Sequence, residues 1–165
     1  MKNKLICFFL LLILSSTVSQ VFAQSTGDSL VPFLTLSELS LLTDNNRGEY
    51  KAWRGFQALA ATYVSVEAIK SVFPEIRPDG SDNDSFPSGH AALSFAAASV
   101  LDISQHDRAI PAYASAGIIS WSRVKEDKHY WKDIIFGATL GYVIGKQFAV
   151  KDSPSTSLIQ VGFSF

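Results

Sequence analysis

Four apolar stretches with helical spacing constrain the fold of this chain more than any other feature of its sequence. Short polar segments separate these stretches, which lie at residues 53–73, 91–101, 109–121 and 134–149. In the first of them, Phe56, Leu59 and Tyr63 recur at the three- and four-residue intervals that place side chains on one helix face. Because no strand-like alternation interrupts this region, we predict an all-α fold, a single helical bundle.

The first 23 residues have the composition of a secretory signal peptide. Lys2 and Lys4 precede an apolar core at residues 5–14, and we expect cleavage after Ala23. An uncleaved membrane anchor is the alternative. The single cysteine, Cys7, falls inside this segment, so the cleaved chain would have no disulfide and no thiol chemistry.

The rest of the chain divides into three segments by its distribution of polar and apolar residues. These are an N-terminal arm, a helical domain and a C-terminal tail, at residues 24–52, 53–150 and 151–165. Within the arm, the run from Thr35 to Glu38 has the spacing of a capping box and predicts a short helix from about Leu36. The end of the tail, residues 159–165, alternates like a strand, and we expect an edge strand or a loosely held tail.

Charge and hydrophobicity limit the partners that the chain can have. The formal net charge is −1, and loss of Lys2 and Lys4 makes it more negative, so we expect no nucleic-acid binding. The hydrophobic fraction of 47% permits membrane contact, but Glu67, Pro111 and Lys146 interrupt the apolar stretches. A spanning helix needs about 20 mostly apolar residues. We therefore expect an exported, periplasmic protein, either soluble or peripheral to the membrane, with an integral inner-membrane protein as the alternative.

Residues 122–133 hold the first group of candidate site residues. His129 and Asp133 are four residues apart, a spacing that brings both side chains to one face of a helix. A carboxylate that accepts the proton of one ring nitrogen fixes the tautomer and leaves the other nitrogen free to act as a nucleophile. Arg123 offers a forked donor for a phosphate. An exposed ion pair on a helix surface is the alternative interpretation of the His129–Asp133 spacing.

Two further groups point to an anion site. Lys70 and Arg77 are seven residues apart at the end of the first apolar stretch, although a lysine there also complements a helix dipole. Pro87, Ser88 and Gly89 precede an alanine-rich run and predict a helix start, where free backbone N–H groups favour an anion. His90 follows them directly. It is either a structural histidine or one that donates a proton to a leaving oxygen.

Together, the three groups resemble the signature of the type 2 phosphatidic acid phosphatase family, which includes bacterial non-specific acid phosphatases and vanadium haloperoxidases. The signature reads KxxxxxxRP, PSGH and SRxxxxxHxxxD. Its positions match, in order, Lys70, Arg77 and Pro78, then residues 87–90, then Ser122, Arg123, His129 and Asp133. The resemblance covers residues 70–133, with flanking helices extending it to about 52–150. It implies a helical bundle with the three motifs at one end.

The resemblance also implies a role for each matched residue. His129 would attack the phosphorus and form a phosphohistidine, Asp133 would orient His129, and His90 would protonate the leaving group. The residues expected to hold the phosphate oxygens are Lys70, Arg77, Ser88, Gly89 and Arg123. With three cations available to meet the phosphate charge, we expect no metal and no other cofactor.

The expected function is a metal-independent phosphatase of phosphate monoesters or pyrophosphates, with lipid-linked substrates favoured. Its substrate partner would be a phosphorylated lipid or a small phosphomonoester, with membrane contact in the lipid case. A soluble non-specific acid phosphatase is the first alternative, and an inactive phosphate-binding or envelope structural protein is the second. A vanadate-dependent haloperoxidase is a remote third, since those enzymes are generally much larger.

Overall fold

The computed structural model describes residues 30–44 and 47–149 of the protein. In these residues the chain forms five α-helices and no strand: α1 (Leu30–Leu42), α2 (Gly48–Val72), α3 (Gly89–Ser104), α4 (Ala109–Lys125) and α5 (Trp131–Phe148). The predicted all-α fold class is therefore confirmed. Within the same residues, no helix combines the length and the apolar character needed to cross a membrane. The predicted signal peptide and the strand-like end of the tail lie outside the described residues.

The four helices predicted from the apolar stretches are confirmed, and each extends beyond its stretch at one end or at both. Helix α3, for example, already begins at Gly89, because Ser88 is its N-cap and its side chain accepts from the backbone N–H of Ala91. The capping box predicted for residues 35–38 is wrong. Helix α1 begins at Leu30, and Ser37 lies in its interior, where its hydroxyl donates to the carbonyl oxygen of Leu34 at 2.7 Å.

Helix α3 is the central element of the bundle. Nearly all its residues are buried, and the small side chains of Ala92, Ala96 and Ala98 allow the other helices to approach closely. Two apolar clusters surround it. The first joins Leu93, Ala96 and Ala97 of α3 to Leu34, Leu59 and Ile119, and the second joins Ala98, Val100 and Leu101 to Leu41, Ala52, Ala58, Ala112 and Ala116.

Three glycines of α5 bring this helix against the backbone of α3. Gly137, Gly141 and Gly145 recur every four residues and are all buried. A Cβ atom added at Gly141 would lie 1.8 Å from the carbonyl oxygen of Ala92, so only glycine fits at this contact. The close approach continues at the start of α5, where the carbonyl oxygen of Asp133 accepts from the N–H of Ser88 at 3.2 Å. The glycines thus position the second and third motifs beside each other.

A buried carboxyl group lies between α1 and α2. Glu38 is only 3% exposed, and its carboxyl packs against Gly55, where an added Cβ would lie 2.6 Å from Oε1. Its Oε2 atom has no hydrogen-bond partner within the described ranges 30–44 and 47–149. Burial raises the pKa of Glu38 to about 8, because the ionised form is poorly solvated there. The folded protein therefore keeps this group protonated at neutral pH.

We expect Glu38→Met to raise the melting temperature, with a gain that grows as the pH rises from about 5 to about 8. The pKa of Glu38 is about 8 in the folded state against 4.5 for the free side chain, so over this interval only the unfolded chain ionises and unfolding is favoured. Near pH 7.5 the gain should be on the order of 5 °C. Thermal melts at about pH 4 and about pH 7.5 measure it, and a gain that is equal at both would contradict this account.

Candidate active site

The third motif folds as a loop followed by a helix start, not as one helix. His129 lies in the loop between α4 and α5, so the prediction that it shares a helix face with Asp133 is wrong. Asp133 is the third residue of α5, and its side chain accepts from the N–H of Tyr130 at 2.9 Å. This capping contact makes the helix begin after Tyr130. The carbonyl oxygen of Arg123 accepts from the N–H of His129 at 3.3 Å and fixes the other side of the loop.

The ring of His129 is held by a backbone carbonyl. Its Nδ1 atom lies 2.7 Å from the carbonyl oxygen of Ser85 and 3.9 Å from Oδ2 of Asp133. The longer distance exceeds hydrogen-bond length, so the expected direct bond between His129 and Asp133 is not formed. Because a carbonyl oxygen can only accept, Nδ1 carries the proton, and Nε2 keeps its lone pair.

Asp133 is linked to His129 through Ser85. The Asp133 side chain is completely buried, and its Oδ2 atom accepts from the hydroxyl of Ser85 at 2.6 Å. Its Oδ1 atom is buried without a hydrogen-bond partner in the part of the chain that the structure describes. Burial raises the pKa of Asp133, and hydrogen bonds from Ser85 and Tyr130 act in the opposite direction.

The electrostatic environment keeps His129 uncharged. Its side chain is 3% exposed, and burial is the main cause that lowers its pKa to about 3. The positive charge of Arg77 is the next cause, and His90 and Lys70 act in the same direction. Residues of the first and second motifs therefore act electrostatically on the ring that the third motif carries. At neutral pH His129 is a neutral imidazole, which is the form required of a nucleophile.

The two cations of the first motif both act electrostatically on His129. Lys70 is in the last turn of α2, and its charge acts on both Asp82 and His129. Arg77 follows in the loop, where its Nε atom donates to Oδ1 of Asp82 at 2.5 Å. This ion pair occupies one nitrogen of the guanidinium, and the other two nitrogens give Arg77 the donor geometry that suits a phosphate.

Arg123 lies at the end of α4 and is 3% exposed. Its guanidinium donates to the hydroxyl of Ser122 at 3.2 Å and pairs with Glu126 at 3.1 Å. Its contact with His129 runs through the backbone, since its carbonyl oxygen accepts from the N–H of that residue. Arg123 therefore both supports the loop of the third motif and brings a buried positive charge to this end of the bundle.

The second motif forms the start of α3, as predicted. Gly89 is the first helical residue, Ser88 is completely buried, and His90 is 6% exposed. The oxygen of the Ser88 hydroxyl accepts from the N–H of Ala91 at 3.4 Å. The charge of His90 acts on His129, which indicates that the two rings lie near each other.

Ion pairs connect the loop after α2 with the loop before α5. Lys128 pairs with Asp79 at 2.5 Å and Lys132 pairs with Glu75 at 2.5 Å. The N–H of Asp79 also donates to the carbonyl oxygen of Asp127 at 3.0 Å. These contacts hold the first and third motifs together at one end of the bundle.

Ser85, which binds both His129 and Asp133, was not predicted from the sequence. It carries no charge, and one of its two contacts uses the backbone carbonyl, which every residue has. The available signal was its position two residues before Pro87, in a segment that leads directly into the second motif.

The chain resembles known proteins over most of its length. The protein-family model described as the PAP2 superfamily matches residues 4–152, a wider range than the 52–150 expected from the motifs. Lipid A 1-phosphatase from Porphyromonas gingivalis is 30% identical over 126 residues, which cover 71% of this chain but only 28% of that protein. No solved structure matches the chain significantly. Since the family match extends over far more than half of its length, the chain belongs to the PAP2 superfamily.

Proposed function

We propose that the protein is a phosphatase that hydrolyses phosphate monoesters or pyrophosphates through a phosphohistidine at His129. The observation that carries this proposal is the state of the His129 ring. Its Nδ1 atom is anchored to a carbonyl oxygen at 2.7 Å, and its pKa is lowered to about 3 by burial and by the charge of Arg77. A neutral ring with a bare Nε2 atom beside positive charge is suited to attack a phosphorus atom.

In the first half of the reaction, Nε2 of His129 forms a bond to phosphorus while the bond from phosphorus to the leaving oxygen breaks. Nδ1 keeps its proton, so the ring becomes positively charged. Ser85 and Asp133 lie on the Nδ1 side and stabilise that charge. His90, at the start of α3, gives its proton to the leaving oxygen.

In the second half, the unprotonated His90 takes a proton from water while the water oxygen attacks phosphorus. The bond between phosphorus and Nε2 of His129 breaks, and inorganic phosphate leaves. Both histidines then return to their starting states, as a hydrolytic cycle requires.

Fixed positive charge would take the place of a metal ion in this scheme. Lys70 and Arg77 act electrostatically on His129, and Arg123 is buried beside its loop. Donors that are already in place when charge develops on the phosphoryl oxygens are effective in a site from which water is excluded. The hydroxyl of Ser88 and the N–H of Gly89 would complete the set.

A lipid-linked phosphate is the proposed substrate class. The relative named lipid A 1-phosphatase supports it, although the chain spans only 28% of that protein. Exposed apolar side chains next to the motifs also support it: Phe73, Ile76 and Trp131 are 60%, 62% and 57% exposed. The ion pair between Glu75 and Lys132 holds the segments that carry these side chains together. An acyl chain has apolar surface to contact there, close to the cations that would hold its phosphate.

The N-terminal composition supports an exported protein that works in the periplasm, soluble or peripheral to the membrane. A phosphorylated lipid at the membrane surface would be accessible to a site in that position. This placement is part of the proposal and would be measured by fractionating cells that produce the full chain.

The experiment is phosphate release by the purified protein in the presence of EDTA. Three substrates are compared: an isoprenoid pyrophosphate, a phosphorylated glycolipid and a water-soluble phosphomonoester. His106→Ala serves as the histidine control for His129→Ala, because the His106 side chain is 90% exposed and paired with Asp102. We expect release that EDTA leaves unchanged and that is fastest with a lipid substrate. Preference for the soluble ester would overturn the lipid assignment, and phosphate binding without turnover would overturn the enzyme.

A further inference from the structure

We propose that Ser85 is a positioning residue that sets the geometry of both His129 and Asp133. The inference rests on the proposed function, because it assigns Ser85 a task in preparing the nucleophile of that reaction. Ser85 lies outside the three motifs, and it touches His129 with its backbone and Asp133 with its side chain. It does not itself meet the substrate in this scheme.

The backbone of Ser85 is held in place by contacts other than its contact with His129. Its N–H donates to the carbonyl oxygen of Glu75 at 2.9 Å, and the adjacent residue Asp84 forms a parallel bridge with Glu75. The Ser85 side chain is completely buried. Its carbonyl oxygen is therefore held in place when it accepts from Nδ1 of His129 at 2.7 Å. A fixed acceptor selects the tautomer in which Nε2 is bare and also sets the direction of the ring.

The hydroxyl of Ser85 fixes the position of the Asp133 carboxylate. It donates to Oδ2 of Asp133 at 2.6 Å, and the N–H of Tyr130 donates to the same oxygen at 2.9 Å. Two donors hold this oxygen 3.9 Å from Nδ1 of His129. From there the carboxylate stabilises the charge that the ring gains on attack, without taking the Nδ1 proton.

The Ser85 hydroxyl also helps Asp133 to stay ionised inside the protein. Burial raises the pKa of Asp133, and the bond from Ser85 is the largest influence that lowers it again. The other charged or titratable groups that act on it are Glu75 from the preceding loop, Lys132 on the same helix, and His129. Replacing Ser85 by alanine should therefore raise the pKa of Asp133 while leaving the backbone contact to His129 in place.

The first test uses the unaltered protein and needs no activity. Nitrogen-15 NMR of the histidine side chains distinguishes a proton on Nδ1 from a proton on Nε2. We expect His129, identified by its loss in His129→Ala, to carry its proton on Nδ1 throughout the range from about pH 5 to about pH 8. A proton on Nε2 would overturn the inference, whether or not Ser85 variants fold.

The second test compares Ser85→Ala with Ser85→Thr, which keeps the hydroxyl, and with Ser37→Ala. Ser37 is a buried serine of α1 whose hydroxyl donates to a carbonyl of its own helix, so it controls for the loss of any buried hydroxyl. We expect Ser85→Ala to lower kcat by about 10- to 100-fold with KM changed less than about threefold. Ser85→Thr should keep at least about a third of kcat, and Ser37→Ala should stay within about twofold.

Three outcomes of the second test would overturn the inference. They are an unchanged kcat in a folded Ser85→Ala, an effect on KM alone, and an equal loss of kcat in a folded Ser85→Thr. If the wild-type protein hydrolyses no phosphate ester, the proposed function fails instead. In that case the carboxyl carbon of Asp133, followed by NMR through a pH titration, still decides the positioning role. We expect a higher pKa in Ser85→Ala, and an unchanged one would overturn it.

Discussion

His129→Ala is expected to lower kcat for phosphate release by at least about 1,000-fold, because the variant has no atom that can bond to phosphorus. In the proposed mechanism, Nε2 of His129 is the atom that attacks phosphorus. The cations of the first motif stay in place, so phosphate should still bind to the variant with an affinity within about tenfold of the wild-type value. Initial rates under saturating substrate and phosphate titration by calorimetry measure the two quantities separately.

His106→Ala is the matched control for this prediction, since it removes an exposed histidine that is paired with Asp102 on the surface. It should leave kcat unchanged. Thermal melts of both variants show whether the loss of a buried ring at position 129 has unfolded the protein. A folded His129→Ala with near-wild-type turnover would refute the assignment of the nucleophile.

Gly141→Ala is expected to destabilise the protein by about 3 kcal/mol and to lower its melting temperature by about 10 °C. An added Cβ would lie 1.8 Å from the carbonyl oxygen of Ala92 and 2.7 Å from its carbonyl carbon, so α5 must move away from α3. Because α3 carries His90 and α5 carries Asp133, this movement should also lower activity in the fraction that remains folded.

Gly117→Ala provides the opposite case within the same chain. A Cβ added at Gly117 in α4 would meet nothing within 4 Å. The better helix propensity of alanine should then stabilise the protein by up to about 1 kcal/mol. Melts of the two variants side by side measure the difference, and a Gly141→Ala protein as stable as Gly117→Ala would contradict the proposed close contact between α3 and α5.

The helical fold could be predicted because burial of apolar side chains at helical intervals is a local pattern. This pattern predicted four of the helices, and the residues around Ser88 predicted the helix start there. The start of α1 was not readable in this way. Leu34 and Leu41 are buried against other helices, so contacts distant in sequence determine that helix, and the capping-box spacing at residues 35–38 was misleading.

Motif spacing predicted the candidate site residues, but it did not predict the hydrogen bonds that connect them. Spacing alone placed His129 and Asp133 on one helix, whereas the capping contact between Asp133 and Tyr130 starts the helix after the histidine. The link through Ser85 depends on a backbone carbonyl that no side-chain pattern reveals. Likewise, the raised pKa of Glu38 follows from its burial against Gly55, which only the packing of α1 on α2 shows.

Trapping the covalent intermediate is the direct test of a phosphohistidine at His129. The purified protein is mixed with a phosphorylated lipid substrate, quenched in alkali to preserve a phosphorus–nitrogen bond, digested and analysed by mass spectrometry. We expect a phosphoryl group on His129 that is seen at an early time, is lost as substrate is exhausted, and is absent from His129→Ala. Turnover with the phosphoryl group on another residue, or with no phosphorylated residue at any time, would contradict it.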